Sequence, residues 1–196
     1  MTILLLAGSP SAPSRSTRLL DHAGQKLVRL GHRYARLEVR DLPGQAILRA
    51  DWNDAEIKAA LATVAEASAV VIATPVYKAA YSGILKAFLD LLPQFGLTDK
   101  LVLPLATGGS QSHMLALDYA LRPVLSSLNP KHVLPSIYAT ESQVTWSQES
   151  GLVLDGPIEA RVDEGVAQLS ASLQALHRVA PTQFHEIPFS QVRCSI

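Results

Sequence analysis

Short apolar segments alternate along this chain with segments of helical periodicity, and this alternation restricts the fold more than any other feature of the sequence. Five segments have the pattern of strands and five have the pattern of helices. Strands that alternate with helices form parallel βαβ units, which build a doubly wound sheet with helices on both faces. The strands are predicted at 2–7, 33–39, 69–73, 101–106 and 133–139, and the helices at 15–30, 53–67, 82–92, 112–128 and 157–177, with Asn53 as an N-cap and Pro135 interrupting the last strand.

The length and composition fit one α/β domain. The chain has 196 residues, of which 48% are hydrophobic, so a sizeable core can form. The expected strand order of the five-stranded parallel sheet is 2-1-3-4-5, the flavodoxin-like arrangement. We expect this domain to span residues 1–178 and a tail to follow at 179–196. The long polar loop at 140–156 is expected to cover a site or a partner subunit.

Charge and cysteine content exclude several classes of function. The formal net charge is zero, which argues against nucleic acid and anionic membranes as partners. A single cysteine, Cys194, excludes an internal disulfide framework and fits a cytoplasmic location. No apolar run is long enough to span a bilayer, and the six histidines lack the spacing of metal ligands. We therefore expect neither a membrane segment nor a metal site.

The loop at 8–17, after the first predicted strand, gathers hydroxyl groups and one guanidinium at a helix N-terminus. Backbone N–H groups and the helix dipole favour an anion at such a place. Arg15 can bind phosphate with two parallel hydrogen bonds, and Ser9, Ser16 and Thr17 can donate from their hydroxyls. An ordinary capped turn explains the same residues equally well. The loop matches neither the GxGxxG nor the Walker pattern, which argues against a dinucleotide fold and a P-loop NTPase.

The loop at 74–83, after the third strand, offers the parts of a seat for a flat ring. Pro75 and Val76 can pack on the ring, and the backbone of Tyr77 and Lys78 can reach its polar edge. Ser82 and Gly83 open the next helix, where Ser82 can cap the helix and also contact a ligand. An ordinary surface loop is the alternative interpretation.

The loop at 107–112, after the fourth strand, contains the pair Gly108-Gly109 behind Thr107. Two glycines let the backbone approach a ligand and leave space for a second planar ring, although a flexible turn has the same composition. All three loops are expected at the carboxyl edge of the sheet, where α/β proteins bind their ligands. One phosphate loop and two ring loops together predict a flavin mononucleotide (FMN) site.

At these residues the sequence resembles the flavodoxin-like, NADPH-dependent FMN reductases of the alkanesulfonate and methanesulfonate monooxygenase systems. The matching segments are 6–10, 13–16, 73–83 (ATPVYKAAYSG), 102–109 and 117–121. The resemblance implies a flavodoxin-like fold, reduction of FMN by NADPH, and delivery of reduced flavin to a separate monooxygenase. Its phosphate contacts map onto Ser9, Arg15, Ser16 and Thr17, and its ring contacts onto Pro75, Val76, Tyr77, Lys78, Ser82, Gly83, Thr107, Gly108 and Gly109.

Pro123 lies inside the helix predicted at 112–128, where its ring collides with the carbonyl of Tyr119. A π-bulge and a plain proline kink are both solutions. The related reductases resemble this chain in having a π-bulge at a tyrosine between dimers. The resemblance therefore implies a homo-oligomer, a dimer or a tetramer, with Tyr119 in an interface that affects flavin transfer.

The expected reaction is hydride transfer from nicotinamide C4 to flavin N5, which requires no acid–base residue. Backbone N–H groups, with Lys78 as a possible addition, are the candidates for stabilising the charge that develops on the flavin. NADPH and NADH are not distinguished. One alternative is an enzyme with tightly bound FMN that reduces quinones or azo dyes. A flavodoxin-like electron carrier fits less well, because such carriers are usually strongly acidic.

Overall fold

The structure, a computed structural model, describes residues 1–147, 149 and 151–178. The predicted tail at 179–196, with Cys194, lies outside the described residues. The strands are β1 (Thr2–Ala7), β2 (Arg33–Glu38), β3 (Ala69–Tyr77), β4 (Ala80–Tyr81), β5 (Leu101–Gly108), β6 (His132–Val133), β7 (Ile137–Thr140), β8 (Val144–Ser147) and β9 (Gly151–Leu154). The α-helices are α1 (Arg15–Arg29), α2 (Gly44–Arg49), α3 (Ala55–Glu66), α4 (Gly83–Leu89), α5 (Arg122–Ser127) and α6 (Gly156–Arg178).

The central sheet is parallel and confirms the flavodoxin-like prediction. Its strands follow the order β2-β1-β3-β5, and both β6 and β7 pair with the far side of β5. The predicted fifth strand is thus divided around Pro135, which has no N–H to donate to the sheet. Counting β6 and β7 as one strand gives the predicted order 2-1-3-4-5.

Two hydrophobic layers cover the sheet, one on each face. In β1, Ile3 and Leu5 face the layer that α1 and α6 complete. Leu4 and Leu6 face the opposite layer, which contains residues of α3 and α4. Burial on both faces explains why β1 is a continuous apolar run rather than an alternating one.

Three predicted details were wrong. The N-cap of α3 is Asp54 rather than Asn53, and the Asp54 carboxylate accepts from Glu56 N at 2.8 Å and Ile57 N at 3.0 Å. Helix α2 was not predicted. The single helix expected at 112–128 is instead a 3₁₀ turn at Gln111–His113, a π-helix at Leu117–Leu121 and then α5.

The described residues of the loop at 140–156 form regular structure that was not predicted. A 3₁₀ turn at Glu141–Gln143 is followed by the antiparallel hairpin β8–β9, which lies against α1. No helix of the described residues is long and apolar enough to cross a membrane.

Candidate functional site

The carboxyl ends of β1, β3 and β5 bring the three predicted loops together. Ala7 of β1 pairs with Ala73 of β3, and Pro75 of β3 pairs with Thr107 of β5. The loops enclose a cavity of about 200 Å³, called here the three-loop cavity. Its lining residues are Ser9, Ser11, Pro13, Ser14, Arg15, Pro75, Val76, Tyr77, Thr107, Gly108 and Glu141.

Buried hydrogen bonds tie the first loop to the second. Gly8 N donates to Ala73 O at 2.7 Å, and the Ser82 hydroxyl donates to Gly8 O. Ser82 N in turn donates to Thr74 Oγ1 at 3.0 Å. A Cβ on Gly8 would lie 2.8 Å from Leu85 Cβ, so glycine is required for this close packing. Ser82 therefore holds the two loops together and also caps α4, as predicted.

The first turn of α1 carries the predicted phosphate-binding groups. Ser14 is the N-cap, and its hydroxyl accepts from Thr17 N at 3.3 Å and lies 2.9 Å from Ser16 Oγ. Ser9 is buried and lines the three-loop cavity, and its hydroxyl is bonded within its own loop. Thr17 Oγ1 is buried and has no hydrogen-bond partner among the described residues. The turn therefore keeps one unmet hydroxyl beside its N–H groups.

Arg15 has a partner that sequence reasoning missed. Its guanidinium lies 3.3 Å from Glu141 Oε2, and both side chains are about half exposed. Both also line the three-loop cavity, so a carboxylate already occupies one side of the predicted anion seat. Glu141 follows β7, whose carboxyl end lies at the same edge of the sheet. Its position directly after the predicted fifth strand could have indicated that it lies near the site.

The second loop is a tight hairpin rather than an open loop. β3 continues to Tyr77 and turns back through Lys78 and Ala79 into β4. Lys78 has φ 50° and Ala79 has φ 63°, so both central residues adopt the left-handed conformation of a type I′ turn. Neither is a glycine, and the turn is therefore strained. Tyr77 stands half exposed at the cavity, and Lys78 is exposed.

The two glycines of the third loop have different surroundings. A Cβ on Gly108 would lie 2.3 Å from the hydroxyl oxygen of Tyr138, which donates to Ser110 O at 2.6 Å. A Cβ on Gly109 would meet nothing within 4 Å. Burial raises the pKa of Tyr138, which keeps its proton available for that bond. Gly108 thus packs against Tyr138, while Gly109 faces open space.

Tyr119 lies on a π-helix, so the π-bulge alternative is confirmed over the plain kink. Arg122 N donates to Leu117 O, five residues back, immediately before Pro123. Leu117 and Leu121 are buried, whereas the Tyr119 side chain is 79% exposed. The Arg122 guanidinium donates to Val133 O and Leu134 O, each at 3.1 Å, which fixes the helix against the divided fifth strand.

The predicted site residues fall into four groups. Those that line the three-loop cavity are Ser9, Arg15, Pro75, Val76, Tyr77, Thr107 and Gly108. Ser82 and Gly83 line an adjoining apolar cavity of about 430 Å³, which shares Tyr77. Ser16 and Thr17 are buried in the helix turn, and Lys78 and Gly109 are exposed at the rim. Among the described residues, no cluster of three or more His, Cys, Asp or Glu could hold a metal ion.

Comparison with known proteins identifies the family of this chain. A family model described as NADPH-dependent FMN reductase matches residues 1–145. An FMN reductase (NADPH) of Pseudomonas putida is 45% identical over 148 residues, which cover 76% of this chain and 75% of that protein. An NADH-dependent FMN reductase, SfnF, of Pseudomonas fluorescens is 31% identical and covers 92% of this chain and 98% of its own length. The solved structure of an NADH:FMN oxidoreductase in its apo form has a TM-score of 0.79 and 37% identity, covering 87% of this chain and 89% of that one.

The matched residues contain all three loops and the strands that carry them. The resemblance noted from the sequence, the oxidoreductase class and the use of FMN and NAD(P)H are therefore confirmed. The chain belongs to the NADPH-dependent FMN reductase family.

Proposed function

We propose that this reductase binds FMN in the three-loop cavity, reduces it with NADPH or NADH, and supplies the reduced flavin to a separate sulfonate monooxygenase. The observation that carries the proposal is the convergence of the three loops, with the Arg15 guanidinium and the Tyr77 ring, on one cavity. The phosphate would lie at the first turn of α1, near Ser9, Arg15, Ser16 and Thr17. The flavin ring would lie along Pro75, Val76, Tyr77, Lys78, Thr107, Gly108 and Gly109, with Ser82 and Gly83 supporting the hairpin.

Two features beside the cavity fit FMN. Helix α1 begins at Arg15, which lines the cavity, so the helix N-terminus favours an anion there. Gly109 is exposed, and the open space around it leaves room for a second ring beside the flavin. When bound, FMN supplies the redox chemistry, because its N5 accepts a hydride and both its electrons from nicotinamide C4.

The residues of the site orient rings and place donors. Hydride transfer requires the two rings to stack at about 3–3.5 Å. Tyr77 and the Pro75–Val76 segment fix one wall, and backbone N–H groups of the two ring loops can stabilise the negative charge at the flavin edge. The exposed ammonium of Lys78 can add to that stabilisation.

The ion pair between Arg15 and Glu141 supports the idea that FMN leaves after reduction. An FMN phosphate must compete with the Glu141 carboxylate for the guanidinium. Half-exposed ion pairs are worth about 0–1 kcal/mol, so the competition weakens FMN binding without preventing it. A flavin that exchanges is what delivery to a second enzyme requires.

The π-helix supports a proposed oligomer contact at Tyr119. A phenol that is 79% exposed, with the exposed Met114 and Leu115 in the preceding turn, forms an apolar surface next to the third loop. We expect Tyr119→Ala to shift the protein towards a smaller oligomer and to slow flavin exchange. Gel filtration with and without FMN measures the shift, and an unchanged elution volume would count against the contact.

The function is tested by steady-state oxidation of NADPH and NADH by dialysed protein with FMN, FAD, riboflavin, a quinone and an azo dye. We expect FMN to be the preferred acceptor and the yellow colour to be lost on dialysis. Addition of a flavin-dependent alkanesulfonate monooxygenase should release sulfite from an alkanesulfonate. Tightly retained FMN with fast quinone or azo reduction would instead indicate the quinone-reductase alternative, and no oxidation with any acceptor would indicate an electron carrier.

A further inference from the structure

A third cavity adjoins the three-loop cavity, between the first turns of α1 and the hairpin β8–β9. It has a volume of about 360 Å³ and is called here the hairpin cavity. It is lined by Pro13, Ser14, Arg15, Arg18, Thr145 and Trp146, with no acidic side chain among them. Pro13, Ser14 and Arg15 also line the three-loop cavity, so the two cavities share a wall. A long ligand could therefore extend from one into the other.

Two cations line this cavity; Arg15 is paired with Glu141, whereas Arg18 has no carboxylate partner among the described residues. The guanidinium carbon of Arg18 lies 3.7 Å from the centroid of the Trp146 ring. Within the same described part of the chain, no hydrogen bond uses the donors of Arg18. An unpaired guanidinium at a concave surface is suited to a phosphate, which it can bind with two parallel hydrogen bonds.

Trp146 gives the same cavity a flat aromatic surface. The side chain is 46% exposed although one face contacts Arg18. An exposed indole beside a guanidinium attracts another planar ring by stacking. A cation and an aromatic face in one cavity thus fit a ligand that combines a purine with a phosphate.

We infer that the hairpin cavity binds the adenosine end of NADPH, with Arg18 contacting the 2′-phosphate and Trp146 contacting the adenine. The inference rests on the proposed function, because the nicotinamide end must reach the flavin ring in the three-loop cavity. It gives a specific role to the hairpin β8–β9, which lies in the segment that the sequence predicted to cover a site or a partner subunit. It also predicts that the enzyme prefers NADPH to NADH.

The test compares Arg18→Gln with Arg29→Gln, which removes a charge from the exposed last turn of the same helix. Calorimetric titration of 2′,5′-ADP and 5′-AMP measures binding to the cavity without any turnover. We expect the wild type and Arg29→Gln to bind 2′,5′-ADP more tightly than 5′-AMP. Arg18→Gln should raise the Kd of 2′,5′-ADP by roughly tenfold or more, because one charge-assisted contact is lost, and should leave the Kd of 5′-AMP nearly unchanged.

Kinetics and a second variant complete the test. Arg18→Gln should raise KM for NADPH by a similar factor, while KM for NADH and Kd for FMN stay within about twofold. Arg18→Lys keeps the charge, so it should raise KM for NADPH by less than Arg18→Gln does. The assignment would be overturned if KM rose equally for NADPH and NADH, or if FMN bound more weakly while both KM values stayed the same. If the wild type oxidises neither coenzyme, the proposed function fails. Binding of 2′,5′-ADP that requires Arg18 would even then support the assignment of the hairpin cavity as the adenosine site. Absence of that binding in the wild type would overturn the inference.

Discussion

The two ends of the three-loop cavity are built in different ways. The proposed phosphate end is the first turn of α1. The Ser14 and Ser16 hydroxyls there are bonded to each other, the Thr17 hydroxyl has no partner among the described residues, and the cation, Arg15, already has an anionic partner. The ring end is a strained two-residue turn at Lys78–Ala79 beside the open space at Gly109. For FMN bound as proposed, this difference amounts to a division of labour: the phosphate end would set the affinity through charge, and the ring end would set the orientation and leave room for the nicotinamide.

The largest effect should separate the two glycines of the ring end. Gly108→Ala places a methyl group against the Tyr138 hydroxyl and breaks its bond to Ser110 O, so we expect a loss of about 1–3 kcal/mol in the free energy of unfolding. Gly109→Ala should change stability by less than about 0.5 kcal/mol, yet slow flavin reduction because the methyl group enters the proposed nicotinamide space. Denaturant unfolding and single-turnover reduction measure the two effects. Equal stability losses would show that the glycines have the same role.

A smaller effect is expected at the phosphate end from Glu141→Gln. The neutral amide no longer pairs with Arg15 and removes a negative charge from the proposed anion site, so FMN should bind more tightly, by up to about fivefold. Riboflavin, which lacks the phosphate, is the matched control and should bind as before. Fluorescence titration of both flavins measures this difference, and a parallel gain for riboflavin would assign Glu141 to the ring end instead.

The smallest effect is expected in the hairpin turn. Ala79→Gly relieves the left-handed strain at φ 63° and should raise the free energy of unfolding by up to about 1 kcal/mol. Ala80→Gly, one residue later in β4, should lower it by about 0.5–1 kcal/mol. If thermal unfolding shows a loss for Ala79→Gly as well, the turn is not strained.

The sequence predicted the sheet and the convergence of the loops because apolar strands and the carboxyl-edge rule depend on local patterns. Pro135 signalled the break in the fifth strand, and Pro123 signalled the distorted helix, since each proline removes a backbone donor at a known position. Hairpin formation at Lys78–Ala79 could not be predicted, because neither residue favours a left-handed turn. That conformation is imposed by the pairing of β3 with β4.

Contacts between segments that are distant in the sequence could not be predicted either. Glu141 and Arg15 are far apart in sequence, and so are Trp146 and Arg18; their meeting depends on how the 140–156 segment folds over α1. The length and polarity of that loop indicated only that it covers a site or a partner subunit, not which residues it contacts. The N-cap of α3 was misplaced by one residue, because Asn53 and Asp54 are both good caps and only the backbone geometry selects between them.

The division of labour is tested most directly by titrating FMN and riboflavin into the wild type and Arg15→Gln. Loss of a charge-assisted phosphate contact should weaken FMN by roughly tenfold to a hundredfold and bring its Kd close to that of riboflavin, whose own Kd should not change. Arg29→Gln should leave both values as they are. If Arg15→Gln weakens riboflavin as much as FMN, or weakens neither, the phosphate of FMN does not lie at the first turn of α1.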